Sequence, residues 1–312
     1  MKVLITGVAG FIPSHLAEGL LEQGFEVLGV DNFATGFANN MVQCQLNPNF
    51  RFEELNVNEL AQIAPVFNQF QPDYVFHYAA FVGVKRTLES PLSVLSDIRG
   101  IENILELSSK AGVKRVFFSS SSEVYGEPVE FPQNEDTTPL NSKLPYAVVK
   151  NLGEVYLKTF QKEYGLNYTI FRFFNTYGPR QSGDFVISKF IKAALQNKPL
   201  TVYGKGDQTR TFCYISDNIT ATIKALQNED FANKIINIGS NSELKILDLA
   251  KKVILLTNSK SVVEHLPPLK EGDMTRRLPT IDNMRKLLGK DLKVLDEGLS
   301  ETIEYFSAYV ED

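Results

Sequence analysis

Short apolar runs alternate with helical patterns through the first half of the chain. "KVLITG", "EVLGVDN", "FRFEELNV", "YVFHYAA", "VKRVFFSSS" and "YTIFRFFN" read as strands, whereas "SHLAEGLLEQG" and "GIENILELSSKAG" carry apolar residues at helical spacing. The second helical pattern closes on Gly112, a helix stop ahead of the next strand. Repeated βα units of this kind predict an α/β fold with a doubly wound parallel sheet covered by helices on both faces. After Asn175 the regularity breaks into "TYGPRQSGD" and "YGKGDQTRTF", loops rich in Gly, Arg and Thr. A smaller C-terminal lobe is expected there. The division is placed at residues 1–175 and 176–312, with the chain crossing between lobes more than once.

Composition changes this picture little. A length of 312 residues suffices for one large domain or two lobes with a substantial core. Lys and Arg total 32 against 37 Asp and Glu, a net charge of -5, and no long basic run occurs, which argues against a nucleic-acid binder. Cys44 and Cys213 stand far apart in no metal-ligand spacing, so neither a disulfide framework nor a metal site is expected, and a reducing, cytoplasmic compartment is. The first residues read as a strand rather than a targeting segment, and no stretch reaches the roughly 18 uninterrupted apolar residues of a membrane span.

The first chemical signal is "GVAGFIPS", between the first strand and the first helix. In such a strand–turn–helix unit one glycine permits the sharp turn and a second lets the backbone approach a pyrophosphate, which the helix N-terminus then holds. Gly7 and Gly10 fit these roles, and the N–H groups of Phe11 and Ile12 are available for phosphate. The third glycine of the pattern is replaced by Pro13. Proline is tolerated in a helix's first turn, where its missing N–H has no intrahelical partner, so the expected defect is steric and local. Asp31 ends the second strand, 21 residues after Gly10, where a carboxylate accepts from both ribose hydroxyls and repels a 2′-phosphate. The cofactor read from this pattern is NAD rather than NADP, with Asn32 beside Asp31 in the same turn. Asn56, after the third strand, is either an adenine contact or an ordinary turn residue.

The second signal is the strand ending "SSSSEVYGE", followed 25 residues after Ser121 by "PYAVVK". That spacing puts Tyr146 and Lys150 at i and i+4 on one helix face. A phenol with a reference pKa of about 10 is no base at neutral pH, but a nearby ammonium and an oxidised nicotinamide both favour the phenolate. Ser121 can then relay a hydrogen bond between the phenol and a substrate hydroxyl.

With these residues in hand the chain resembles the extended short-chain dehydrogenase/reductase family, and within it the nucleotide-sugar epimerases, dehydratases and decarboxylases. The resemblance runs through "TGVAGFIPSHL", "VDNFATG", "HYAA", "SSSSEVYGE", "PYAVVK", "RFFNTYGPR", "LTVYGKGDQTRTFCYISD" and "GDMTRRLP". It implies a Rossmann-type NAD domain followed by a nucleotide-sugar-binding lobe. Tyr146 becomes the base, Lys150 its electrostatic partner and ribose contact, and Ser121 the third member. His77 to Ala80 line the cofactor groove, with Ala79 and Ala80 leaving it room, although His77 alone reads as a packed strand residue. Ser122, Asn175 and Arg210 match substrate positions, with Arg210 facing the diphosphate and Arg276 or Arg277 completing the clamp. The family also implies a homodimer.

The reaction is less specified than the family. Oxidation at sugar C4 is common to all three chemistries. A 4,6-dehydratase calls for adjacent Asp and Glu after the catalytic serine, and here those positions are Ser122 and Glu123. Decarboxylases of nucleotide-linked glucuronate carry Ser-Glu there, as this chain does, but have an acidic, glycine-bearing sequence between Tyr and Lys where this chain has Ala147, Val148 and Val149. The sequence reading favours a 4-epimerase of a UDP-hexose or UDP-hexuronate, with decarboxylase, dehydratase, 5-epimerase and a non-enzymatic NAD-binding protein as alternatives. Glu123 is either a participant in the chemistry or a hydrogen-bond anchor for the loop after it.

Overall fold

The structure, a computed structural model, describes residues 1–82, 90–268 and 276–308. Two compact units make up the chain. The first comprises residues 1–126, 140–173 and 219–236, and the second residues 127–139, 174–218 and 237–312. Against the 1–175 and 176–312 division expected from sequence, residues 127–139 therefore group with the second unit and 219–236 with the first.

Six strands of the first unit are β1 (Lys2–Thr6), β2 (Glu26–Asp31), β3 (Phe50–Glu54), β4 (Tyr74–His77), β5 (Arg115–Ser121) and β6 (Asn167–Phe173). Among the described residues they join a seven-stranded sheet whose order is the Lys234–Ile238 strand, then β6, β5, β4, β1, β2 and β3. Pairings among β1 to β6 are parallel throughout. This is the doubly wound, Rossmann-type sheet that the alternating pattern predicts. Every residue of β5 is buried, as expected for a central strand covered on both faces, whereas four of the five residues of the edge strand β3 are not.

Each sheet face has its own core. On one face Phe76 stacks on Phe117, its register partner, with ring centroids 4.3 Å apart, and Phe117 in turn lies 6.2 Å from Phe171. Such aromatic pairs contribute about 0.5–1.5 kcal/mol each beyond area burial. On the other face Leu4, Val75, Phe118 and Ile170 pack with Ile104 of the Asp97–Ala111 helix and Val149 of the Pro145–Tyr164 helix. The Asp97–Ala111 helix has an acidic residue in its first turn and Lys110 in its last, complementing its dipole, and stops on Gly112 in the left-handed region.

The late excursion back into the first unit is anchored by Arg115, whose guanidinium donates to the Ala225 carbonyl at 2.9 Å. In the second unit the Thr209–Thr211 strand pairs antiparallel with Glu243–Lys245, and Leu200–Tyr203 pairs parallel with Val263–Leu266. Residues 127–139 belong to it because Gln133 donates its N–H to the Leu278 carbonyl at 2.7 Å and accepts from the Thr280 N–H at 2.8 Å. Among the described residues no helix is long and apolar enough to cross a membrane.

Candidate active site

The predicted cofactor and catalytic residues of the first unit lie at or just beyond the C-terminal ends of its parallel strands, the edge at which open α/β sheets bind ligands. After β1, Gly7 takes φ +74°, and a Cβ there would lie 2.8 Å from the Ala79 backbone. Glycine is thus required both for the turn and for the approach of the segment after β4. Thr6 fastens that segment: its hydroxyl accepts from the N–H groups of Tyr78 and Ala79, both at 3.1 Å, and is 2.9 Å from His77 Nδ1. With two donors already on the oxygen, the hydroxyl proton goes to Nδ1, so the imidazole is the neutral Nε2–H tautomer. Burial, reinforced by the charge of Lys150, lowers the pKa of His77 to about 3 and keeps it neutral. His77 is therefore a packed strand residue. Ala79 and Ala80 follow it, both half-buried.

The first helix runs Phe11–Glu22, starting three residues before the pattern "SHLAEGLLEQG". Gly10 is its N-cap and Pro13 its third residue. The first N–H of this helix to find a backbone partner is that of Ser14, bonded to the Gly10 carbonyl at 3.2 Å. Pro13 occupies a position whose N–H would have been orphaned in any case, and the Phe11 and Ile12 donors remain at the helix's positive end. The steric effect falls on Gly10 instead. A Cβ on Gly10 would sit 3.1 Å from Pro13 Cγ and 3.0 Å from the Gly7 carbonyl oxygen.

Asp31 is buried, and its carboxylate accepts from the Ala9 N–H at 2.9 Å and the Phe33 N–H at 2.8 Å. It binds the glycine-rich turn to the end of β2, and burial raises its pKa despite these bonds. Ala9 is held from a third side as well, since its carbonyl accepts from Phe37 N–H at 3.0 Å and Asn40 Nδ2 at 2.8 Å. Asn32 is exposed, with its amide oxygen accepting from Ala34 N–H. Asn56 accepts from the Asn58 N–H at 3.0 Å, so its side-chain oxygen serves its own turn. The backbone of this turn, its glycines, its free helix N-terminus and a carboxylate ending β2 form a cradle suited to a dinucleotide pyrophosphate and ribose.

The candidate catalytic group is assembled by β5 and the Pro145–Tyr164 helix. Ser121 ends β5 and caps the short turn Ser122–Tyr125, accepting from Glu123 N–H at 3.2 Å. Tyr146 lies in the first turn of the helix, with Pro145 ahead of it at a position proline favours, and its hydroxyl is hydrogen-bonded with Ser121. Lys150, one turn on, donates from Nζ to Ser119 Oγ at 3.2 Å and sits 4.8 Å over the Phe118 ring and 5.8 Å over the Tyr146 ring. Burial raises the Tyr146 pKa well above its ordinary value; the charge of Glu123 raises it further, the Ser121 hydrogen bond lowers it and Asp97 raises it. Burial lowers the Lys150 pKa to about 8, opposed by the charge of Asp97. Ser121, Glu123, Tyr146 and Lys150 thus stand together, and Ser122 is buried next to Ser121.

Sequence reasoning missed four participants. Thr6 and Ser119 are small hydroxyl residues on buried strands, with no periodic signal. Asp97, half-buried at the start of its helix, accepts from Phe81 N–H at 2.7 Å and carries the charge that supports Lys150. Glu154 lies two turns beyond Tyr146 on the same face, a charged residue where the helix should turn apolar, and that signal was available.

The substrate candidates Asn175, Arg210 and Arg277 belong to the second unit. Asn175 Nδ2 donates to the Thr211 carbonyl at 3.2 Å, tying it to the strand that carries Arg210. Arg210 and Arg277 are buried guanidinium groups, whereas Arg276 forks onto the Glu243 carboxylate with Nε at 2.7 Å from Oε1. Gly272 to Thr275 of "GDMTRRLP" lie outside the described residues. Among those described, no cluster of three or more His, Cys, Asp or Glu residues is arranged to hold a metal ion.

The chain is similar along nearly its whole length to proteins of known family. The model of the NAD dependent epimerase/dehydratase family matches residues 3–239. A UDP-N-acetyl-alpha-D-glucosaminuronate decarboxylase of Bacillus cytotoxicus is 39% identical over 98% of this chain and 97% of its own. The crystal structure of a Thermotoga maritima UDP-glucose 4-epimerase with UDP-glucose superposes with a TM-score of 0.93 at 34% identity, covering all of both chains. A UDP-glucuronic acid 4-epimerase of Bacillus cereus, solved with UDP-glucuronic acid and NAD, gives 0.91 at 29% identity over 99% of this chain and 100% of its own. The chain belongs to the NAD-dependent epimerase/dehydratase family of nucleotide-sugar enzymes, with NAD as its cofactor.

Proposed function

We propose that the protein decarboxylates a UDP-linked hexuronate through a 4-keto sugar, leaving a UDP-linked pentose. The observation that carries this reading is Glu123 beside Tyr146. A 4-epimerase needs a base and a ketone that turns over in the site, and an added carboxylate there works against the phenolate. Its presence calls for a second proton task. NAD, when held in this cradle, would supply the hydride chemistry at C4. Tyr146 as phenolate removes the C4 hydroxyl proton through or beside Ser121, with Lys150 supporting the negative oxygen. With a ketone at C4, the C6 carboxylate is a β-keto acid: the C5–C6 bond breaks, CO2 leaves and the electron pair enters the C4 enolate. The enolate takes a proton at C5, relayed from solvent by Glu123. The 39% identical decarboxylase relative supports this choice.

In the same reading residues 1–175 hold NAD through Gly7, Gly10, Phe11, Ile12, Asp31, Asn32, Asn56, Ala79, Ala80 and Lys150. Asn175, Arg210 and Arg277 hold the nucleotide sugar, a guanidinium fork being matched to diphosphate oxygens. The enzyme works in the cytoplasm as a homodimer. The 4-epimerase reading that the sequence favours is kept second, supported by the Thermotoga and Bacillus cereus structures.

Incubating the protein with UDP-glucuronate, UDP-N-acetylglucosaminuronate and UDP-glucose separates the readings. CO2 with a UDP-pentose supports decarboxylation. Inversion at C4 without CO2 supports epimerisation. Inertness of all three with NAD retained points to a non-enzymatic NAD-binding protein.

A further inference from the structure

Tyr146, Lys150 and Glu154 follow each other at i, i+4 and i+8 on the Pro145–Tyr164 helix. The first two act at the substrate end, and the third is fully buried. Glu154 accepts from Arg172 of β6 through both carboxylate oxygens, Nε at 2.9 Å and a terminal nitrogen at 2.7 Å, and from Ser120 Oγ of β5 at 2.6 Å. The other terminal nitrogen of Arg172 donates to the Tyr125 hydroxyl at 2.8 Å, and the guanidinium lies 4.8 Å over the Tyr125 ring. Tyr125 closes the short turn that begins at Ser122 and carries Glu123, directly after Ser121.

One buried guanidinium therefore grips both pieces of the catalytic group: the helix with Tyr146 and Lys150, and the turn following Ser121. Ser120 and Arg172 are register partners on adjacent strands, so this grip is built on the rigid sheet. One residue before Glu154, a Cβ on Gly153 would come 2.5 Å from the Phe118 ring. Glycine brings the helix flush onto β5, a contact that permits sliding, and the directional ion pair stops the slide. Paired buried charges are weak evidence for stability alone, since apolar residues of similar volume often serve as well. Here the pair has a geometric task.

We propose that Arg172 and Glu154 are positioning residues that set the reach of Tyr146 to Ser121, and thereby the proton transfer at C4. This rests on the catalytic roles given above to Tyr146 and Ser121. The test uses NAD-loaded Glu154→Asp, which keeps the charge but draws it back by one methylene, and Arg172→Lys, which keeps the charge but loses the fork. We expect kcat to fall about tenfold or more, with KM within about twofold and NAD content unchanged, the signature of an interaction that acts on the chemical step. The Ser121 hydrogen bond favours the phenolate, so its loss moves the rising limb of the pH profile to higher pH.

Unchanged kcat and pH profile in folded variants would overturn the proposal. If either single variant folds poorly, the apolar pair Glu154→Leu with Arg172→Met is expected to restore thermal stability without restoring kcat; restoration of both overturns it. Titrating the Tyr146 phenolate by difference absorbance against Tyr146→Phe reads the same upward shift without turnover. The inference is thus tested apart from the identity of the substrate: a wild-type protein inert to every nucleotide sugar counts against the reaction, an unshifted phenolate against the positioning pair.

Discussion

The carboxylate of Asp31 accepts the backbone N–H of Ala9 at 2.9 Å across the mouth of the cofactor cradle. The residue expected to select NAD by its ribose is therefore also a clasp on the turn expected to hold the pyrophosphate. Asp31→Ala should weaken NAD binding, move the NAD:NADP affinity ratio toward unity and lower the melting temperature. The stability loss arises because two backbone donors, Ala9 and Phe33, lose a buried acceptor, at about 1–3 kcal/mol for each donor left unsatisfied. Titration calorimetry with both cofactors checks it, and an unchanged preference would reduce Asp31 to a turn residue.

Pro13→Gly should leave NAD content as purified unchanged and lower the melting temperature slightly. No helix hydrogen bond is gained by removing proline from a position without an intrahelical acceptor, and the glycine adds freedom to the unfolded chain worth roughly 0.4–1 kcal/mol. Gly10→Ala should be costly, since its Cβ meets Pro13 Cγ at 3.1 Å, and partly rescued by Pro13→Gly. NAD occupancy and thermal melts of the single and double variants measure this coupling. Equal losses from Gly10→Ala in both backgrounds would place the clash elsewhere.

Lys150 has a pKa lowered to about 8, so its ammonium is lost as pH rises through that value. Turnover should decline above pH about 8 as the phenolate loses its charged support. For stability the sign is opposite. The folded value lies below the ordinary lysine value of 10.5, so the cost of burying the ammonium is fully present below pH about 8 and is relieved as pH rises toward 10.5. Lys150→Met should remove the alkaline decline and lower kcat at least about 100-fold. A wild-type profile that stays flat through the alkaline range would contradict the charged role.

Glu123→Gln should limit CO2 release from UDP-glucuronate to about one equivalent per site, because the C5 proton step that follows it fails, with the bound NAD left reduced and absorbing in the near ultraviolet. Full CO2 release in this variant would return Glu123 to the role of a loop anchor.

Much of this arrangement is legible in the sequence because it is local. Strand, glycine turn and helix are contiguous around Gly7 and Gly10, and the i, i+4 spacing of Tyr146 and Lys150 fixes their shared face without any tertiary information. What escapes is whatever two distant segments settle between them. Asp97 and Lys150 are separated by a strand and a long loop, and Arg172 finds Glu154 only because β5 and β6 lie in register. The interleaving of the two units escapes for the same reason, since residues 127–139 acquire their place from Leu278 and Thr280, far along the chain.

The most direct test follows CO2 from UDP-glucuronate labelled at C6, comparing NAD-loaded wild type with Tyr146→Phe. Wild type should release label in step with formation of a UDP-pentose, and Tyr146→Phe, with its fold and NAD content retained, should release none above background. Inversion at C4 with no labelled CO2 from wild type, or wild-type release from Tyr146→Phe, would contradict the account.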